Sequence, residues 1–285
     1  MGYQKFLNKL FLFLLTIPVL LFIFLPLLWL FSASLSTQVE LFTVPPHWIP
    51  QHPIAQNYLD IFFPSQAASS VPRTFGVAML NSIKIASAVT IISLVIGSFA
   101  AYALVRIPFK FNRPIQLGIL ATRMIPEVSL VIPLFIIASS LQLINKPIVL
   151  IIAYMSFALP FAIWLMAAFF QTVPIELEDA ARIDGCGRLG ILFRVVMPIS
   201  VPGLISTAMF VFLLAWDEFF YALIFTSTLA AKTVPVAIAE FVGRYVVNIT
   251  GMMAGGILAA VPPVVLALIF QRYIVSGLTA GAVKG

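Results

Sequence analysis

A chain of 285 residues in which 62% are hydrophobic and only 9% charged cannot hide its apolar surface as a water-soluble globule, so it reads as an integral membrane protein. The formal net charge of +6 is spread along the chain with no patch of interleaved basic and aromatic residues, which excludes a nucleic-acid footprint. A single cysteine, Cys186, excludes an intramolecular disulfide and reads as a small neutral filler.

In chain order, six stretches approach or exceed the roughly 20 residues that cross about 30 Å of hydrocarbon as a helix. They run from about Leu10 to Phe31, Asn81 to Val105, Leu117 to Leu141, Ile148 to Phe170, Pro198 to Phe225 and Val246 to Phe270. The first follows Lys5 and Lys9 and precedes Ser32, Ala33 and Ser34. Its length exceeds the apolar core of roughly 7–15 residues found in a cleavable signal, so it reads as a retained helix. Arg123 and Glu127 interrupt the third stretch four residues apart, the spacing of a local ion pair on one helix.

Orientation follows from lysine and arginine. With the amino terminus inside, Lys5, Lys9, Arg106, Lys110, Arg113, Arg182, Arg188, Arg194, Arg272 and Lys284 fall in cytosolic segments, against Arg73, Lys146, Lys232 and Arg244 outside. That excess places both termini in the cytosol. The long outside segment after the first span carries His47 and His52, but Pro45, Pro46, Pro50 and Pro53 oppose a helix there and no cysteine or tight acidic cluster joins them. Metal binding is not expected. No phosphate-binding Gly-x-x-x-x-Gly-Lys-[Ser/Thr] loop and no Gly-x-Ser-x-Gly nucleophile elbow occurs, so ATP and covalent catalysis are not expected of this chain itself.

Between the fourth and fifth spans, about residues 171–198, lies the densest cluster of charge. Thr172 followed by Pro174 predicts a helix start, with Glu176, Glu178 and Asp179 in the early turns where carboxylates suit the helix dipole. Gly185 is placed to end that helix at positive φ. Leu189, Leu192, Phe193 and Val196 then repeat with helical spacing, predicting a second short helix before Pro198 opens the fifth span. Ala180 and Ala181 keep the first helix thin enough to enter a groove. The residues alone fit either a docking knob or an ordinary solvated loop.

In the fifth span, Trp216-Asp217-Glu218-Phe219 puts two acids about 24 Å along a helix that starts near Val201. Such carboxylates face a protein interior or an aqueous cavity. At the end of the chain, Gly277, Gly281 and Gly285 predict a slim, flexible tail over about 271–285.

The order acidic Asp179, Ala180, Ala181, three residues, Gly185, nine residues and then Val195-Val-Met-Pro198 resembles the EAA loop of ATP-binding-cassette (ABC) importer permeases, with Asp179 where that family usually has glutamate. Leu25-Pro-Leu-Leu-Trp29, Asn81-Ser-Ile83, Arg123-Met-Ile-Pro126, Ile132-Pro-Leu-Phe135 and Leu159-Pro-Phe-Ala-Ile-Trp164 look like the carbohydrate-uptake, maltose-permease-like branch. The segment Gln271 to Gly285 is similar to the tail of the smaller, six-span permease subunit.

The resemblance implies an all-α integral membrane protein of the type I ABC importer permease fold: six transmembrane helices and a cytosolic helix-turn-helix coupling loop. It implies a bacterial cytoplasmic (inner) membrane location, a second and different permease subunit, two cassette ATPases that bind ATP and magnesium, and an extracytoplasmic solute-binding protein. It further implies a sugar or related polyol as the solute, and no cofactor or catalytic residue in this chain. Glu178, Asp179, Ala180, Ala181, Asp184, Gly185 and Pro198 become ATPase-docking residues, and Ala282, Val283, Lys284 and Gly285 a tail contact with the ATPases. Trp216, Asp217 and Glu218 become candidates for the translocation path. The family typically reads Trp-Asn-Glu-Phe there, so Asp217 is a departure. The competing readings are an ion-coupled secondary transporter acting alone, with its intramembrane acids carrying the ion, and a scaffold that recruits an ATPase without transporting.

Overall fold

The computed structural model describes the backbone of residues 2–63, 70–242 and 247–282, and the side chains of residues 12–63, 74–242 and 247–273. Over these residues the chain is helical apart from its connections, and extended pairing is limited to one isolated antiparallel bridge, Val242 to Val247. The helices are α1 (Gly2–Ser34), α2 (Gln38–Leu41), α3 (Gln56–Phe62), α4 (Ser70–Arg106), α5 (Asn112–Thr122), α6 (Glu127–Ser140) and α7 (Pro147–Gln171). After them come α8 (Ile175–Ile183), α9 (Arg188–Ile191), a π-helical turn (Leu192–Val196), α10 (Met197–Ile199), α11 (Val201–Trp216), α12 (Phe220–Phe225), α13 (Val234–Ala239) and α14 (Ile249–Ala282).

Four helical stretches are long and apolar enough to cross a bilayer: Leu12–Ser34, Thr74–Arg106, Pro147–Gln171 and Ile249–Tyr273. Two bent pairs bring the number to six if each pair is one span. The third predicted span is such a pair, since α5 and α6 meet at 89°. Pro126 disfavours a helical conformation at Ile125, and Pro126 itself is extended at ψ 132°. The fifth predicted span is divided twice. It bends by 81° at Ser200, between α10 and α11, and stops at Trp216 before resuming as α12. The sixth predicted span starts at Val246, outside the described residues; its helix begins at Ile249 and runs on to Ala282, so the glycines of the predicted flexible tail do not end it.

By its contacts the chain divides into two compact units, Met1–Gly76 with Ala237–Val261, and Val77–Val236 with Pro262–Gly285. In the first, the end of α1 is tied down by Asn57, whose amide donates at 2.8 Å to the Ser34 carbonyl, left over at the helix end, and at 3.0 Å to the Ser36 carbonyl just beyond it. The Ser34 hydroxyl meets Tyr58 Oη at 2.6 Å. Asn248 starts α14 by accepting the Gly251 amide on its side-chain oxygen at 2.8 Å.

In the second unit the core forms where α4, α6, α7, α11 and α12 meet, around Ile85, Val89, Leu150, Tyr154, Val211 and Phe225. Gly203 lets α11 lie directly on the Phe169 ring of α7, in space that a Cβ would share with the ring. Asn145, at φ +64°, accepts the amides of Ser227 and Thr228 on its side chain and so holds the turn after α12 beside the start of α7. Asn81 donates to the Leu229 and Lys232 carbonyls at 3.0 and 3.1 Å, which fixes the segment before α13 against α4.

Candidate functional site

The loop after α7 folds as a compact knob. Its first helix starts differently from expectation: the Thr172 hydroxyl bonds back to the Phe169 carbonyl at 2.7 Å, and α8 begins after an extended Pro174 with no side-chain cap. Its end is as the glycine requires. Gly185 sits at φ +84°, its amide bonds to the Arg182 carbonyl at 3.0 Å, and the Cys186 amide bonds to the Ala181 carbonyl at 2.9 Å. These two bonds are the Schellman pattern, and the apolar contact that accompanies it falls to Ala181 and Cys186, both packed in one cluster. Cys186 is thus a filler with a definite place.

The second half of the knob departs from the predicted helix. Pro198 offers no amide, and its ring would crowd the Arg194 carbonyl of a regular α-helix. The backbone instead takes one wide π turn, with the Met197 amide bonded to the Leu192 carbonyl five residues back. Ile191, Leu192 and Val196 are buried, whereas Leu189 and Phe193, expected on the same face, are exposed.

The predicted docking residues separate into two sets. Asp179, Ala180, Asp184, Gly185 and Pro198 are exposed, and Ile183, which sequence reasoning did not single out, is 87% exposed in the same turn. Glu178 and Ala181 face inward. Glu178 has no exposed surface: Arg106 Nε lies 2.6 Å from its Oε1, and the Tyr102 hydroxyl donates to its Oε2 at 3.3 Å. Its place in the docking set is corrected, because a carboxylate enclosed in its own chain cannot touch a partner without first leaving that ion pair. The helical period explains the division. Positions 178 and 181 lie three apart on one face, and 179, 180 and 183 lie around the other. Arg182 pairs with Asp179 at 2.6 Å on the exposed side.

A second feature is an open cavity of about 560 Å³ where α5, α6, α7 and α11 converge. Arg123, Glu127 and Ser156 line it from one side, and Phe210, Asp217, Glu218 and Tyr221 from the other. Trp216, also predicted for a path, is buried beside it and stacked on Phe212 with ring centroids 5.6 Å apart. Glu218 accepts the Tyr221 and Ala222 amides at 2.7 and 3.2 Å, so its charge sits on the first free donors of α12. Asp217 is exposed to the cavity. The predicted Arg123–Glu127 ion pair is absent among the described residues. The 89° bend parts the two, and Arg123 donates to the Phe157 carbonyl at 2.8 Å and covers the Phe161 ring at 5.3 Å instead. Nothing in the sequence near Phe157 signals that contact, which depends on the bend.

Both features lie within the region, residues 93–280, that matches the family described as binding-protein-dependent transport system inner membrane component. The chain is 40% identical to the trehalose transport system permease protein SugB of Mycobacterium tuberculosis over 92% of each chain. It is 37% identical to the sulfoquinovosyl glycerol transport system permease protein SmoH of Agrobacterium fabrum, over 91% of this chain and 88% of that one. In fold it matches a chain in the crystal structure of a bacterial ABC transporter involved in the import of the acidic polysaccharide alginate, with a TM-score of 0.77 and 20% identity over 96% of this chain and 98% of that one. The fold and the family agree: the chain belongs to the permease subunits of binding-protein-dependent ABC importers.

Proposed function

We propose that this chain forms half of the transmembrane path for a sugar or related polyol, in the cytoplasmic membrane and with both termini inside. It pairs with a second, different permease subunit, two cassette ATPases and an extracytoplasmic solute-binding protein. ATP and magnesium bind to the ATPases, and the chain itself is mechanical and not catalytic. The sugar class rests on the solutes in the names of its relatives, trehalose and sulfoquinovosyl glycerol.

The single observation that carries the reading is the knob at Gly185. A short helix closed by a Schellman turn presents Asp179, Ala180, Ile183 and Asp184 as a slim exposed face. Closure of the ATPases on ATP moves that face, and the permease pair exchanges inward-facing and outward-facing arrangements through differential contacts in the two states. The cavity beside Glu127 and Asp217 supplies the polar surface that a hydroxyl-rich solute needs while crossing. The tail residues Ala282, Val283, Lys284 and Gly285 are assigned an ATPase contact. Val283, Lys284 and Gly285 lie outside the described residues, and α14 reaches Ala282.

The test is co-purification of the ATPase with membrane-inserted permease. Gly185→Val, which strains the turn, and Ala180→Phe, which thickens the exposed face, are each expected to lose the ATPase while insertion is unchanged. Normal ATPase association in both would overturn the docking assignment.

A further inference from the structure

Glu178 belongs to the charged loop, yet its side chain has no exposed surface. Arg106 holds one oxygen at 2.6 Å, Tyr102 bonds to the other at 3.3 Å, and Arg182 lies 4.0 Å away on the exposed side. Arg106 is the last residue of α4, and its Nη2 also donates to the carbonyls of Phe170 and Val173, at 2.9 and 2.5 Å. Those carbonyls lie at the end of α7 and in the turn after it, where the helix ladder leaves acceptors over. One guanidinium therefore joins three elements: α4 through its own backbone, α7 through two carbonyls and α8 through Glu178.

The surroundings make the junction stiff. Tyr102 packs with Ala101, Met166, Phe170, Val173, Ile191 and Leu192 in one buried apolar cluster. Apolar contacts between helices are non-directional and allow small slides. The two bonds from Arg106 Nη2 to carbonyls are directional, and sliding would draw the guanidinium away from the buried Glu178 charge.

We propose that Arg106, Glu178 and Tyr102 are positioning residues that lock α8 to the ends of α4 and α7, so that displacement of the knob moves these two long helices with it instead of bending the loop. This assignment rests on the reading of the knob as the ATPase-docking element. In that scheme the exposed face of α8 receives the motion and its buried face passes it on. Tyr102 orients the carboxylate, Glu178 holds α8, and Arg106 carries the link to α4 and α7.

The test uses the complete complex with its ATPases, in lipid, with spin labels on cysteines placed at Glu176, in the first turn of α8, and at Ile96, exposed on α4, in a Cys186→Ala background. Distances between the labels are measured without nucleotide and with ATP and vanadate. The otherwise unsubstituted complex is expected to give one narrow distance that is the same in both states. Tyr102→Phe, Arg106→Lys and Glu178→Gln are each expected to keep the ATPase bound but to lose the narrow distance, giving a broad distribution that differs between the states. A narrow, unchanged distance in the Tyr102→Phe and Glu178→Gln complexes would overturn the proposal. So would distances that differ between the states before any of the three residues is changed. Should Glu178→Gln or Arg106→Lys fail to assemble, Tyr102→Phe decides alone, because it removes one hydroxyl and keeps the ring. The docking reading is judged separately by ATPase co-purification with Gly185→Val, so either idea fails without the other.

Discussion

Two glycines divide what a residue reveals by itself from what it reveals only in place. Gly185 announces its role in the sequence, because a helix end that needs positive φ is a local demand and glycine meets it without the penalty of about 1–2 kcal/mol that other residues bear. Gly203 announces nothing, since its importance lies in Phe169, a residue of another helix. Gly203→Ala is expected to lower stability by about 1–3 kcal/mol, the usual cost of forcing extra volume into a packed contact. Thermal unfolding in detergent, followed by tryptophan fluorescence, checks it. An unchanged midpoint would mean that the Phe169 ring turns aside freely. Glu178 repeats the lesson with charge. The sequence shows a carboxylate in an acidic run but cannot show that Arg106, 72 positions earlier, reaches it.

At the scale of elements, the breaks carry more information than the helices. Four of the predicted apolar runs overlap long continuous helices, because a run of that length has few other ways to satisfy its backbone in lipid. At some of the prolines and acids in these runs the element bends or stops, whereas Pro160 and Pro262 lie inside the continuous helices α7 and α14. Pro126 separates α5 from α6, Pro198 accompanies the π turn, and Glu218 captures the amides that begin α12. Asp217 and Glu218 are adjacent yet have different work, which a double substitution would confuse. Glu218→Gln is expected to weaken the start of α12 and lower stability by about 1–2 kcal/mol, because an amide offers one acceptor oxygen and no charge to two backbone donors. Asp217→Asn should leave the unfolding midpoint unchanged while altering solute uptake, since its side chain faces the cavity and makes no hydrogen bond or ion pair among the described residues. Equal losses of stability from the two substitutions would contradict this division.

At the scale of the whole molecule, hydropathy and the placement of lysine and arginine argue for a multi-span protein with its charged knob in the cytosol. Cys186, half-buried behind Gly185, is the native probe of that orientation. A membrane-impermeant maleimide is expected to label it in inside-out vesicles prepared without the ATPase, and not in intact cells. Labelling from the outside alone would reverse the topology.

By itself the sequence determined the class, the approximate course of the helices and the knob with its glycine, because membrane length, charge bias and turn chemistry are all local along the chain. Only the tertiary structure decided which face of α8 is free and which is locked to Arg106, that Trp216 belongs to the core while Asp217 faces a cavity, and that Arg123 serves the Phe157 carbonyl and not Glu127. Each of those outcomes depends on a partner brought from a distant part of the chain or on the angle of a bend, and neither quantity is written in the spacing of residues.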